Sequence, residues 1–165
     1  MDGFERVAAG WIGGLVTLVL VLAVAAAAGW FFYCPCERTP GGWLLGERVS
    51  EPVTDWSFAN DVPLCQIQVR AGLLPHSINL NCMASAGVLY LSCAQCEGKT
   101  WSTAALANPS ARLRLGERVY PVTLTRVEGA AILDEAWRAR ETKLGRDPDR
   151  PREAGWWSFR VESRG

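Results

Sequence analysis

Leu89–Trp101, LYLSCAQCEGKTW, is the stretch whose reading decides how the rest of the chain is understood. It opens as an apolar strand and carries a CxxC pair, Cys93 and Cys96. It then passes through Gly98 and Lys99 into TWSTAALA, a short helical run closed by Asn108-Pro109, since the residue before proline disfavours the helical region. Two readings compete. The pair is a metal or redox site, or it marks the end of a strand that leads into a helix start able to hold an anion.

Outward from this stretch, the strand signal is period two. In Cys65–Ala71 (CQIQVRA), Cys65, Ile67 and Val69 share one face, and Gln66, Gln68 and Arg70 the other. In His76–Met83 (HSINLNCM), Ile78, Leu80 and Cys82 oppose Ser77, Asn79 and Asn81. Val88–Ala94 follows through the turn Ala84-Ser85-Ala86-Gly87, so the three strands are spaced as an antiparallel meander. After the short helix, Lys99–Ala107, the spacing predicts strands at Ala111–Leu115 and Val119–Val127 around a Gly116-Glu117 turn. It then predicts a helix over Gly129–Leu144, with Ile132, Leu133, Ala136 and Trp137 on its apolar stripe, and a closing strand at Trp156–Val161. LGERV occurs twice, at Leu45 and Leu115, and one five-residue match is coincidence rather than a repeat. The expected fold is mainly β (α+β): an antiparallel β-barrel with two flanking helices.

The N-terminal part is of another kind. Trp11–Tyr33 contains no charged residue and is long enough to cross a hydrocarbon core of about 30 Å. Aromatic residues stand at both ends, Trp11 at one and Trp30 to Tyr33 at the other. A cleaved signal peptide is the rival reading, because AVAAAAG offers small-residue cleavage sites. The length of the run and the weakly basic MDGFER favour an uncleaved, single-pass anchor in the lipid bilayer through residues 11–33. Arg6 lies on one side and Arg38 and Arg48 on the other, so positive charge barely orients the span. A domain following its only anchor is expected outside the cytoplasm. The expected organisation is residues 1–33 as N-terminal segment and transmembrane anchor, 34–52 as juxtamembrane linker, and 53–165 as barrel domain.

The 17 basic residues balance 17 acidic ones, which argues against nucleic acid as a partner. In the linker CPCERTPGG, Cys34 and Cys36 are open to palmitoylation, to pairing between chains, or to standing as unpaired thiols. By strand parity Cys65 and Cys82 read as small buried hydrophobes. That leaves Cys93 and Cys96 without the further ligands a tetrahedral metal site needs. Structural thiols or a disulfide rank first for this pair, metal second and redox catalysis third, because the βαβ setting of a redox CxxC is missing. His76, the only histidine, reads as a satisfied residue at a strand edge. Lys99, with Ser92, Thr100, Ser102 and free backbone N–H groups, would form an anion site at a helix start. A solvated lysine beside an N-cap is the plainer alternative.

Read together, LYLSC…GKTWSTAALANPSARLRLGERVYPVTLTRV resembles the split-barrel superfamily of the pyridoxamine-phosphate oxidases and deazaflavin-dependent nitroreductases. The shared order is a strand, a basic residue, a short helix closing in Asn-Pro, and a hairpin. The later helix with Lys143 and the closing WWSFRV strand also look like that family, so the resemblance spans roughly 53–164. It implies an FMN or deazaflavin cofactor, a homodimer and oxidoreductase-like activity on a small molecule, with no catalytic side chain named. Carried over by position, Lys99, Thr100, Trp101 and Arg70 would meet the phosphate, Ser77, Asn79 and Asn81 the ring, and Ser92 the same site. The chain departs from the family in its sparse basic residues, in its CxxC and in its membrane anchor. A barrel without cofactor, serving as a non-catalytic binding or dimerisation module of the envelope, is the alternative.

Overall fold

A computed structural model describes residues 2–164, with side chains described at Trp11 and from residue 13 onward; Arg6 lies outside the described side chains. The chain begins with α1 (Asp2–Tyr33). A two-residue strand β1 (Glu47–Arg48) and a 3-10 turn (Ser57–Asp61) precede the barrel. Then come β2 (Cys65–Ala71), β3 (Leu74–Ser85), β4 (Val88–Cys93), α2 (Thr100–Ala107), β5 (Ser110–Leu115), β6 (Arg118–Arg126), α3 (Ala130–Lys143) and β7 (Trp157–Ser163).

Six of these strands close into an antiparallel barrel in the order β6-β5-β2-β3-β4-β7, with β7 pairing back onto β6. The alternation of the sequence explains the wall. Ile67, Val69, Leu80, Leu91, Leu113, Val122 and Phe159 point inward and are buried together. Closure removes the free edges that an open sheet would present. β1 joins the outside of β6 in parallel, at Glu47↔Arg118 and Arg48↔Val119.

The two later helices occupy different places. Trp101 and Ala105 of α2 belong to the barrel core, and Trp101 stacks obliquely on Phe159 at 5.1 Å, so α2 plugs the barrel. α3 lies outside, where Ala136 and Trp137 pack on Met83, Tyr90 and Trp156. Ile132, expected on the buried stripe, is exposed, whereas Glu141 near the other end of the helix is fully buried and is neutralised by Arg140 and by Arg150 at 3.3 Å.

Gly13–Tyr33 is, by length and composition, able to cross a membrane, and none of it is buried against the barrel. The cysteines correct the sequence reading. Cys34 and Cys36 are bonded to each other within the chain, so neither stands as an unpaired thiol, a lipid acceptor or an interchain bridge. Cys65 and Cys82 are buried as expected, but as a disulfide between β2 and β3 with Cα atoms 5.8 Å apart. Register explains the pairing: Cys65 lies opposite Leu80, so Cys82 is its diagonal neighbour on the same inner face. Cys93 and Cys96 form the third disulfide, Cα atoms 5.6 Å apart, which leaves no thiolate pair for a metal.

Candidate functional site

Residues 34–45, the first part of the expected linker 34–52, are laid across the outside of β2 and β3 as a strap. Proline and glycine exclude helix and strand there, and the strap is held by single contacts instead. The Gly41 and Ser77 backbones exchange hydrogen bonds of 2.9 Å in both directions. Asn79 Nδ2 donates to the Glu37 carbonyl at 2.7 Å, and Gln66 Nε2 to the Pro35 carbonyl at 3.2 Å. The Leu44 N–H donates to Gln68 Oε1 at 2.8 Å. Sequence reasoning missed this layer, although Gln66, Gln68, Ser77 and Asn79 all sit on the polar faces that parity defined.

Between the strap, the first half of β3 and the start of α2 lies a cleft of about 500 Å³. Its polar lining is Asn79, His76, Lys99, Thr100, Arg38 and Glu37; Ile78, Leu80, Pro40 and Trp101 supply apolar walls. Its size suits a small organic ligand. α2 starts at Thr100 with no acidic residue in its first turn, so its free N–H groups meet no competing carboxylate of their own helix. Lys99 is exposed and its Nζ donates to the Ala94 carbonyl at 2.9 Å, which turns the ammonium toward the CxxC loop. His76 is half-buried, and burial pushes its imidazole below the usual histidine range, toward the neutral form. The sequence placed no ligand role on His76, and period-two parity with Ile78 and Leu80 was the signal available.

The structure thus brings Asn79, Lys99, Thr100 and Trp101 to one cleft and leaves four other candidates out of its lining. Arg70 is exposed near the β2–β3 turn, opposite Pro75. Ser77 is fully buried under the strap, with its hydroxyl unpartnered. Asn81 pairs with Ser92 across β3 and β4, and the Ser92 hydroxyl is buried and unpartnered too. A phosphate-bearing cofactor therefore meets a mixed fit. The helix start, Lys99 and Thr100 suit a phosphate. The face of Ser77 and Asn79 proposed for a ring is taken by the strap.

The closed six-stranded antiparallel barrel, with a helix inserted between β4 and β5 and another between β6 and β7, defines a split-barrel protein. No family model and no curated protein matches the sequence. Solved structures do match. A Listeria innocua protein classed with the pyridoxamine 5'-phosphate oxidases aligns with TM-score 0.54 and 10% identity, over 66% of this chain and 89% of that one. The conserved hypothetical protein Rv2991 of Mycobacterium tuberculosis gives TM-score 0.54 and 11% identity, over 72% and 86%. A Bacteroides thetaiotaomicron protein classed with 5-nitroimidazole antibiotic resistance proteins gives 0.51 and 9%, over 81% and 92%. The chain shares its barrel fold with these three proteins. At such identities the likeness is one of fold.

Proposed function

We propose that this chain is a membrane-anchored split-barrel module that binds a phosphate-bearing flavin or deazaflavin and serves as an oxidoreductase-like protein. The observation that carries the reading is the single cleft shared by Lys99, Thr100, the start of α2, Asn79 and His76. Lys99 would supply a point charge, and the Thr100 hydroxyl and first-turn N–H groups would supply fixed donors to the phosphate. Neutral His76 would offer one donor and one acceptor beside the apolar wall of Ile78 and Leu80. Such a cofactor supplies hydride or electron transfer when bound, and the protein's part is orientation and binding. In this reading residues 1–33 anchor, 34–52 connect, and 53–165 form a domain that dimerises. Three disulfides support a location outside the cytoplasm, since such bonds persist in oxidising compartments.

The experiment is a titration of full-length protein with flavin mononucleotide and with a deazaflavin, followed by absorbance, in wild type and Lys99→Ala. Loss of one charge-assisted contact lowers affinity about ten- to a hundredfold. No binding at micromolar concentration would sink the cofactor reading. One observation favours a second reading, a non-catalytic binding or dimerisation module: the strap occupies the polar face of Ser77 and Asn79. The anchor is tested separately, by retention of the full-length protein in membranes through a carbonate wash.

A further inference from the structure

A second, smaller cavity of about 310 Å³ lies on the outer face of β5 and β6, away from the cleft. It is lined by Arg48, Arg112 and Arg164, with Val119 and Pro121 as its apolar floor. No carboxylate among the described residues lines it. Arg112 is half-buried and its Nη1 reaches only the neutral Gln68 Oε1, at 3.3 Å. Arg164 is held by neutral oxygens as well, Ser110 Oγ at 3.1 Å and the Ala111 carbonyl at 3.3 Å. None of the three takes part in an ion pair among the described residues.

This arrangement is electrostatically unfavourable as it stands. Burial, and then the like charge of Arg48, push the Arg112 guanidinium below its usual range. In a chain with as many acidic as basic residues, three guanidinium groups lining one cavity, with no carboxylate among the described residues beside them, form an oxyanion receptor. Planar forks of this type match phosphate geometry, and a bound oxyanion would offset the mutual repulsion.

We propose that Arg48, Arg112 and Arg164 bind a phosphate oxyanion, with an anionic phospholipid headgroup as its source. The lipid source rests on the anchor reading, and position supports it. Arg114, two residues along β5 from Arg112 on the same outer face, shares another surface cavity with Phe32 and Tyr33 at the end of α1. Its Nη1 donates to the Leu45 carbonyl at 3.0 Å, tying β5 to the chain that emerges from α1. The arginine cluster therefore lies on the side of the barrel that meets the last turn of the apolar helix.

The test uses full-length protein in zwitterionic detergent and follows its thermal midpoint and ligand titration with phosphatidylglycerol, phosphatidylcholine and inorganic phosphate. Wild type should gain stability with phosphatidylglycerol and not with phosphatidylcholine. Arg48→Gln should weaken that effect about tenfold while leaving the unliganded midpoint equal or higher, because it removes a repulsion. Arg48 is exposed, so this variant folds even if Arg112→Gln does not. Stabilisation by phosphate as well as by phosphatidylglycerol supports the receptor with either source. Stabilisation by phosphate alone supports the receptor and overturns the lipid source. No response to either, or an equal response in Arg48→Gln, overturns the proposal. The phosphate arm is independent of the bilayer, so failure of the anchor in the carbonate wash is read apart from failure of the receptor.

Discussion

Gly41 and Ser77 exchange two backbone hydrogen bonds of 2.9 Å, and through them the strap closes over the outer face of β3. Gly41 is buried, and a Cβ placed there would collide with the Cys34 carbonyl, which is backbone and has little freedom to yield. Gly41→Ala is therefore expected to destabilise the strap by about 1–3 kcal/mol, as overpacking does. Limited trypsin digestion at exposed Arg38 reads the effect directly. Cleavage should be faster in the variant, and equal rates would show that the strap is already loose.

The two barrel disulfides should differ in weight. Cys65 and Cys82 are 17 residues apart and Cys93 and Cys96 only 3. Restriction of the unfolded chain grows with loop length, so removing the first pair should cost about 3 kcal/mol and the second about 2 kcal/mol. Denaturant melts of Cys65→Ala/Cys82→Ala and Cys93→Ser/Cys96→Ser give the comparison. A larger loss from the Cys93 and Cys96 pair would mean that its loop, and not chain entropy, carries the effect.

Lys143 ends α3 inside a cage of carbonyls. Its Nζ donates to Ala59 at 2.8 Å, Val62 at 2.6 Å and Cys82 at 2.7 Å. It joins α3, the 3-10 turn and β3 at one atom. Lys143→Met keeps most of the side-chain volume and leaves three acceptors without their donor. The expected loss is about 3 kcal/mol or more, measured by urea unfolding. A change below about 0.5 kcal/mol, the range of ordinary surface substitutions, would show that water replaces the ammonium freely.

His76 gives the fold a pH dependence. Burial lowers its folded pKa below the 6.5 of the free side chain. As pH falls through 6.5 the unfolded chain takes up the proton first, so stability declines until the folded pKa is passed, where the slope from this group ends. Above 6.5 the contribution is fully present. His76→Asn should flatten that part of the profile of unfolding free energy against pH, and an unchanged slope would assign it to the carboxylates.

Much of the barrel was legible because its wall obeys a period of two. Cys65, Ile67 and Val69 on β2, and Ile78, Leu80 and Cys82 on β3, were separated from their polar neighbours by parity alone. The turn read at Ala84-Ser85-Ala86-Gly87 and the Asn108-Pro109 stop gave approximate boundaries, although β3 runs on to Ser85 and leaves only Ala86-Gly87 as the turn. Parity assigns a face but not a partner, so the Cys65–Cys82 bond needed the register. β1 was missed because two residues, Glu47 and Arg48, carry no period at all. The strap was missed because Pro35, Pro40, Gly41 and Gly42 signal only what the chain cannot form. The site was half legible: Lys99, Thr100, Trp101 and Asn79 converge, whereas Ser77 shares a face with Asn79 and is sealed beneath Gly41. Trp101, placed at the phosphate, is buried in the barrel core with its ring against Phe159.

The docking of the strap also sets how freely the barrel can move. From Cys34 to Leu45 the chain could extend about 40 Å, enough for a tethered head to tumble well clear of a bilayer. Instead the Gly42 N–H returns to the Phe31 carbonyl at 3.1 Å, and the Leu44 N–H is fixed to Gln68 on the barrel wall. The would-be tether is a stem rigid at both ends. With α1 in a membrane, the barrel rides close to the surface in one orientation, and a molecule entering the cleft must approach along a direction set by the bilayer.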